Sequence, residues 1–230
     1  MKVGITLPQF RDEADSAIAA AGRAEELGLD GVFCFDHLWP MGQPGRPALS
    51  SGPLLGAVAA STSSIHIGTL VARVGLLPDD VLVEVLSSLN NISKGRLIAG
   101  LGTGDHLSRA ENLAFGIPYE PAAERQIRLA SVAVAVEARG IKVWVGGGLP
   151  STSDLARTVG GAVNLWEAET AKVAKTASAG CETTWGGPLK GDAKQVEGRL
   201  KELADAGASW VVCAWPESLE VMAEAAGAVR

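Results

Sequence analysis

The 230-residue chain is short of several things, and each shortage excludes a class of protein. It has three cysteines, Cys34, Cys181 and Cys213, far apart along the chain. They offer neither a disulfide framework nor a Cys-x-x-Cys metal pattern. Each lies in an apolar stretch and reads as a small buried hydrophobe. The three histidines show no ligand spacing, so no metal is expected. Aromatics are sparse at 5%, the net charge is −6, and no basic run exists that would track a phosphate backbone; nucleic acid is not an expected partner. No uninterrupted apolar stretch reaches the ~18 residues of a membrane span. The patterns His-Glu-x-x-His and Gly-x-Ser-x-Gly are missing, as is an EF-hand loop. The opening Met-Lys-Val-Gly-Ile-Thr-Leu-Pro is too short an apolar run for a secretory leader and fits a strand better. The cytoplasm is the expected compartment.

What is present is an alternation of short apolar runs with longer helical periodicities. Val3–Leu7 predicts a strand, and Asp12–Leu27 a helix with Ala14, Ala17, Ile18, Ala21, Ala24 and Leu27 on one face. The same pairing recurs. Strands are expected at Gly31–Phe35, Ile65–Val71, Arg96–Leu101, Lys142–Gly146, Ala162–Leu165, Glu182–Trp185 and Ser209–Trp215. Helices are expected at Pro53–Ala60, Pro78 to about Leu89, Pro121–Ala138, Thr152–Val159, Ala168–Ala179, Asp192–Ala206 and Pro216–Ala228. A long polar loop occupies Asp36 to about Gly52, and a Gly-rich loop follows Leu101. Parallel strands need helical crossovers, and eight units without a long break suit a closed (β/α)8 TIM barrel, one α/β domain over residues 1–230. An open doubly wound sheet uses similar units and is the competing architecture.

In such a barrel chemistry sits where strands end and the following loops begin. The polar and glycine residues cluster there. Asp36-His37 follows the second strand. The carboxylate can orient the imidazole or act on another group, and a histidine near neutrality moves protons both ways; a surface loop cap is the plainer reading. Gly102-Thr103-Gly104-Asp105-His106 follows the fourth strand. Its glycines admit a flat or phosphorylated ligand, Asp105 is an acid/base group and His106 a partner for it, although an ordinary tight turn has the same composition. Gly146-Gly147-Gly148-Leu149-Pro150-Ser151 runs into a helix, whose free amides attract phosphate; Ser151 donates to that ligand or caps the helix. Trp185 and Trp215 fall near strand ends and are expected at the mouth, whereas His66, inside a strand, reads as structural.

The residues also resemble a family. The segment Glu25 to His37, the stretch Ile67–Val71, the run Ile92 to Gly104, Ala114–Tyr119 and Val143–Gly148 are similar in order and spacing to the luciferase-like monooxygenases, the bacterial luciferase superfamily. The resemblance implies a (β/α)8 barrel, commonly a homodimer, that binds FMN or the deazaflavin coenzyme F-420. The Asp-His pair points to the branch that uses F-420. On that resemblance His37 assists proton transfer, Asp36 contacts the deazaflavin, and Asp105 matches a proton donor of sugar-phosphate dehydrogenases. Thr103, Gly104 and Ser108 line the ring, and Gly147 and Gly148 hold the phosphate side. A stretch matching Thr69–Arg73 presses on the ring, with a non-prolyl cis peptide expected near Leu70–Val71. The implied activity is hydride transfer to or from a small organic substrate. An FMN-dependent monooxygenase is the alternative, and a non-catalytic flavin-binding barrel a further one.

Two departures stand out. Only Ala138-Arg139-Gly140-Ile141 separate Glu137 from Lys142, where the family usually carries several tens of residues that help cover the substrate. A more open mouth, or one covered by a partner subunit, is expected. Basic substrate contacts of the sugar-phosphate members have no secure match, with Lys172, Lys175 and Lys190 as the nearby candidates, so a sugar phosphate is not the expected substrate.

Overall fold

The computed structural model describes residues 1–230. Buried apolar runs become eight strands: β1 (Lys2–Thr6), β2 (Gly31–Cys34), β3 (His66–Arg73), β4 (Leu97–Gly102), β5 (Lys142–Gly146), β6 (Ala162–Trp166), β7 (Glu182–Gly187) and β8 (Ala208–Cys213). All neighbours are parallel, and β1 pairs with both β2 and β8, so the sheet closes into a barrel in sequence order. The closed TIM barrel is therefore the fold, and the open sheet is excluded. The helices are α1 (Asp15–Glu26), α2 (Ser51–Ser61), α3 (Asp79–Ile92), α4 (His106–Ala114), α5 (Ala122–Glu137), α6 (Pro150–Thr158), α7 (Thr170–Ser178), α8 (Ala193–Asp205) and α9 (Leu219–Gly227). None is long and apolar enough to cross a membrane.

Most of these elements begin and end within three residues of their expected positions. One was not expected at all: α4 occupies what reads as a Gly-rich loop. The four residues from Ala138 to Ile141 are all that join α5 to β5.

Two packed regions hold the barrel. The larger lies between the sheet and the helices, where residues such as Val3, Leu55, Leu86, Leu129, Val143 and Leu200 are buried. The smaller fills the barrel itself with Phe33, Leu70, Ile98, Trp144, Ala162, Trp210 and Val212. Phe33 stacks on Trp144 at 5.1 Å, and Trp210 meets Trp144 edge-on at 5.4 Å. Rings this large fit because the strands beside them carry no side chain where the rings pass. A Cβ on Gly68 would lie 2.6 Å from Phe33 Cε1, so an alanine there would overpack the interior. Trp144 and Trp210 are thus core, as are the three cysteines, which are free thiols and buried. Burial pushes the Cys34 thiol far above its ordinary value.

The β3–β4 ladder is irregular between Thr69 and Ala72, and the Leu70–Val71 peptide is cis, at the position the resemblance implied. Val71 faces the C-terminal mouth of the barrel.

Candidate active site

The site begins at the C-terminal end of β2. Gln9 donates its side-chain amide to the carbonyl of Phe35 at 2.8 Å, and its oxygen accepts from the Phe35 amide at 2.6 Å. This fixes the strand end from which Asp36 and His37 emerge. The Asp36 carboxylate accepts from Ser51 Oγ at 2.8 Å and from the Arg73 amide at 2.9 Å, and its carbonyl accepts from Arg73 Nε at 2.8 Å. Asp36 therefore laces the β2 loop to α2 and β3.

His37 is held from another direction. Its Nδ1 lies 2.9 Å from Oε2 of Glu111, on α4. The Glu111 side chain is 1% exposed and that of His37 15%. The other Glu111 oxygen accepts from the amides of Leu38 and Trp39. Arg73 Nη2 lies 2.9 Å from Oε2, within ion-pair distance but without hydrogen-bond alignment. Arg73 Nη1 donates to Asn112 Oδ1 at 3.1 Å. Burial pushes the Glu111 carboxyl up, but the His37 hydrogen bond, the Arg73 charge and the Leu38 amide outweigh it and hold the group below its ordinary range. Glu111 is a buried carboxylate, and a carboxylate can only accept hydrogen bonds. His37 Nδ1 therefore carries the proton that is shared with it. Nε2, which makes no hydrogen bond, is the nitrogen left for a ligand.

Asp105 is the N-cap of α4. It accepts from the amides of Leu107 and Ser108, each at 3.0 Å, and from Ser108 Oγ at 3.1 Å, while Ser108 Oγ in turn accepts from the Asp105 amide. Such a capping box satisfies donors that a helix start leaves unpaired. Burial raises this carboxyl, yet the Ser108 and Leu107 bonds win and lower it below its usual value. The resemblance matches Asp105 to a proton donor; in the structure its carboxylate is engaged as the cap of α4. His106 opens α4, is exposed, and makes no bond to Asp105. The loop before the cap is braced by Tyr119, whose hydroxyl donates to the Asp105 carbonyl, and by Arg125, whose Nε donates to the Thr103 carbonyl at 3.0 Å.

A cavity of about 440 Å³ opens at the C-terminal mouth, lined only by the ends of β2 to β6 and the segments after them. Of the residues expected from the sequence, His37, Leu70, Val71, Thr103, Gly104, Asp105, Ser108, Gly147 and Gly148 line it. Asp36 does not, because its oxygens face Ser51 and Arg73. Ser151 does not either: α6 starts at Pro150 with Leu149 as its cap, so Ser151 is an exposed first-turn residue and caps nothing. Trp185 is buried, with its indole N–H donated to the Ala168 carbonyl at 2.9 Å, and Trp215 lies outside the cavity. Trp166 occupies the wall expected for them.

The β4 and β5 strand ends are bare by necessity. A Cβ on Gly102 would come 2.4 Å from Val71 Cγ2, and one on Gly146 3.0 Å from Val71 Cγ1. The glycines form a cradle in which Val71 is the raised point. Lys172, on α7, donates to the Gly148 carbonyl at 2.8 Å and brings a positive charge to the rim of that loop. No group of His, Cys, Asp and Glu is arranged to hold a metal ion.

Glu111 and the aromatic wall were not read from the sequence. Nothing in the pattern of α4 marks Glu111 as buried.

A family model described as luciferase-like monooxygenase matches residues 1–136. An F-420-dependent glucose-6-phosphate dehydrogenase of Beutenbergia cavernae is 32% identical over 124 residues, covering 54% of this chain and 35% of that protein. An F-420-dependent hydroxymycolic acid dehydrogenase of Mycobacterium tuberculosis is 30% identical over 158 residues, 68% of this chain and 42% of that protein. The matched segments thus span well under half the length of these relatives. Among solved structures, an F-420-dependent secondary alcohol dehydrogenase in complex with an F-420-acetone adduct superposes with a TM-score of 0.83 at 14% identity, covering 100% of this chain and 99% of that one; the likeness is one of fold.

Proposed function

The chain belongs to the luciferase-like monooxygenase family, and on that premise we propose that it is an oxidoreductase that uses the deazaflavin coenzyme F-420 to move hydride to or from a small organic substrate, with residues 1–230 acting as one barrel. The observation that carries this is the meeting, in one cavity, of a glycine cradle raised at Val71 with a histidine whose Nδ1 is committed to a buried carboxylate. Bound there, F-420 supplies the two-electron acceptor or donor. The protein then has two tasks: to seat a ring and an anionic tail, and to manage one proton.

Leu70, Val71, Thr103, Gly104 and Ser108 seat the ring, and Gly147, Gly148 and Lys172 take the tail. His37 handles the proton through Nε2, accepting it when an alcohol is oxidised and returning it when a carbonyl is reduced. Glu111 stabilises the imidazolium that exists between those events. Asp105 keeps the loop in place by capping α4, and Asp36 fixes the β2 loop from behind the site; neither is needed as the proton donor. The fit to F-420 rather than FMN is supported by the Asp36-His37 pair and by relatives whose names carry F-420.

We further infer a homodimer in the cytoplasm. Leu107, Leu113 and Phe115 are exposed on and just after α4 and offer an apolar face for a second copy, and three unpaired thiols suit a reducing compartment.

The test is fluorescence titration of the purified chain with F-420 and, separately, with FMN. Micromolar affinity for F-420, retained in His37→Ala, is the expected result. Affinity for FMN alone would transfer the site to the monooxygenase reading.

A further inference from the structure

The cavity covers only part of the mouth, and what bounds it is aromatic. Phe35 stands at the end of β2 and Trp166 at the end of β6, four strands apart either way around an eight-strand barrel. Yet their rings meet edge-to-face at 5.3 Å. Phe10, from the β1 loop, stacks behind Phe35 at 6.0 Å with ring planes 7° apart. The three rings form a bar across the mouth. The cavity lies on the β3–β5 side of that bar, so the glycine cradle at the ends of β4 and β5 faces it.

Trp166 is seated firmly although its residue is 38% exposed. Its indole N–H donates to Glu167 Oε1 at 3.1 Å. Its six-membered ring lies against the bare backbone of Gly186, where a Cβ would come 2.6 Å from Trp166 Cε3. Aromatic and apolar surface lining a concave site is where the body of a ligand seats. Leu70 reaches the same Gly186, with Cδ2 3.6 Å from where a Cβ would stand, and Met41, half exposed, lines the same cavity.

The charged groups of the cavity are already engaged. Arg73 is 5% exposed at its side chain and is held by the Asp36 carbonyl, Asn112 and Glu111. Asp105 caps α4. Lys172 sits at Gly148, on the cradle side. Neither Phe35 nor Trp166 carries a cation over its ring; such contacts occur at Trp210, Tyr119 and Trp185 instead. His37 Nε2 is the unengaged polar atom that a ligand at the bar can reach within the same cavity.

Building on the F-420 reading, we propose that the bar formed by Phe35 and Trp166 is the substrate subsite, and that it takes the apolar body of an uncharged, flat organic molecule such as a cyclic ketone or enone, with its oxygen turned toward His37. Aromatic faces reward flat apolar partners by stacking and by excluding water. A phosphorylated sugar would have to bury its charge against rings without a counter-ion.

Saturation-transfer NMR tests this with cyclohexenone and glucose 6-phosphate as probes, on the chain alone and with F-420 added. Cyclohexenone is expected to bind in both states and glucose 6-phosphate in neither. Trp166→Leu, which keeps apolar volume and removes the ring, should weaken cyclohexenone about tenfold, the size of one good aromatic contact. The same variant should leave F-420 affinity within about threefold, the error scale of a single exposed contact. Displacement of cyclohexenone by F-420, or an equal loss of F-420 affinity in the variant, would show the bar to be part of the cofactor seat and overturn the proposal. Binding of glucose 6-phosphate that ignores Trp166 would overturn it too. If F-420 fails to bind at all, the functional reading falls, while the cyclohexenone result on the chain alone still decides the subsite.

Discussion

Exchanging Glu111 for glutamine removes one charge from a network that solvent scarcely reaches. The side chains concerned are 1% exposed at Glu111, 5% at Arg73 and 15% at His37. Taking one partner from a buried ion pair costs about 3–5 kcal/mol. Glutamine keeps an oxygen for the Leu38 and Trp39 amides, so the cost falls to or just below the bottom of that range, about 2–3 kcal/mol. A chain of 230 residues unfolds with an entropy of about 0.5 kcal/mol/K, so the melting temperature should fall by about 4–6 °C. The chemical effect is larger. The glutamine amide presents N–H to His37 Nδ1, which must then accept. The ring proton moves to Nε2, and the nitrogen facing the cavity changes from acceptor to donor. Long-range proton–nitrogen NMR on histidine-labelled protein reads this directly, since only His37, His66 and His106 contribute. Turnover with any substrate that needs the proton accepted should drop by about 10²–10⁴, the usual worth of a positioned acid or base. An E111Q protein that melts within a degree or so of the parent and keeps the Nδ1–H tautomer would refute the assignment.

Two further outcomes rest on local geometry. Gly102→Ala forces Val71 off the cradle, since the new Cβ lies 2.4 Å from Val71 Cγ2; F-420 affinity should fall at least tenfold while stability drops by about 1–3 kcal/mol, the usual cost of overpacking, and titration together with thermal melting separates the two. Glu25 takes the amides of Ser63, Ser64 and Ile65; burial opposes its charge, yet those bonds lower the carboxyl from 4.5 to about 2. A folded value below the unfolded one stabilises above pH 4.5, and that contribution is lost as pH falls toward 2. Denaturant titrations should show Glu25→Ala less stable than the parent by about 1–2 kcal/mol at neutral pH, after screening at this half-exposed site, and the gap should close on acidification.

The barrel was legible in the sequence because parallel strands buried on both faces must be continuous apolar runs. Lys142–Gly146 is bounded identically in pattern and structure. The mouth was legible for a related reason. Glycine is required where Val71 rises against β4 and β5, and His37 comes directly after a strand. Resemblance added Leu70 and Val71, whose place above the barrel no periodicity marks. The features that stayed hidden depend on contacts between distant segments. Phe35 and Trp166 are 131 positions apart (166 minus 35) and meet only because the barrel closes. The resemblance implies Asp36 as a contact to the cofactor, and no pattern in the sequence shows that its carboxylate accepts from Ser51 and Arg73.

α4 shows why Glu111 in particular escaped notice. A surface helix is recognised by apolar residues facing the core. α4 reverses this: Ser108, Glu111 and Asn112, spaced by three and four, are buried, while Leu107 and Leu113 are exposed. The reversal has a physical consequence for the site. One nine-residue helix carries at its start the Asp105 cap that holds the Gly102–Gly104 loop, and on the same inner face the carboxylate that orients His37. The glycine cradle and His37 therefore share a single support. A displacement of α4 moves both together, and the outer side of that support is the exposed Leu107, Leu113 and Phe115.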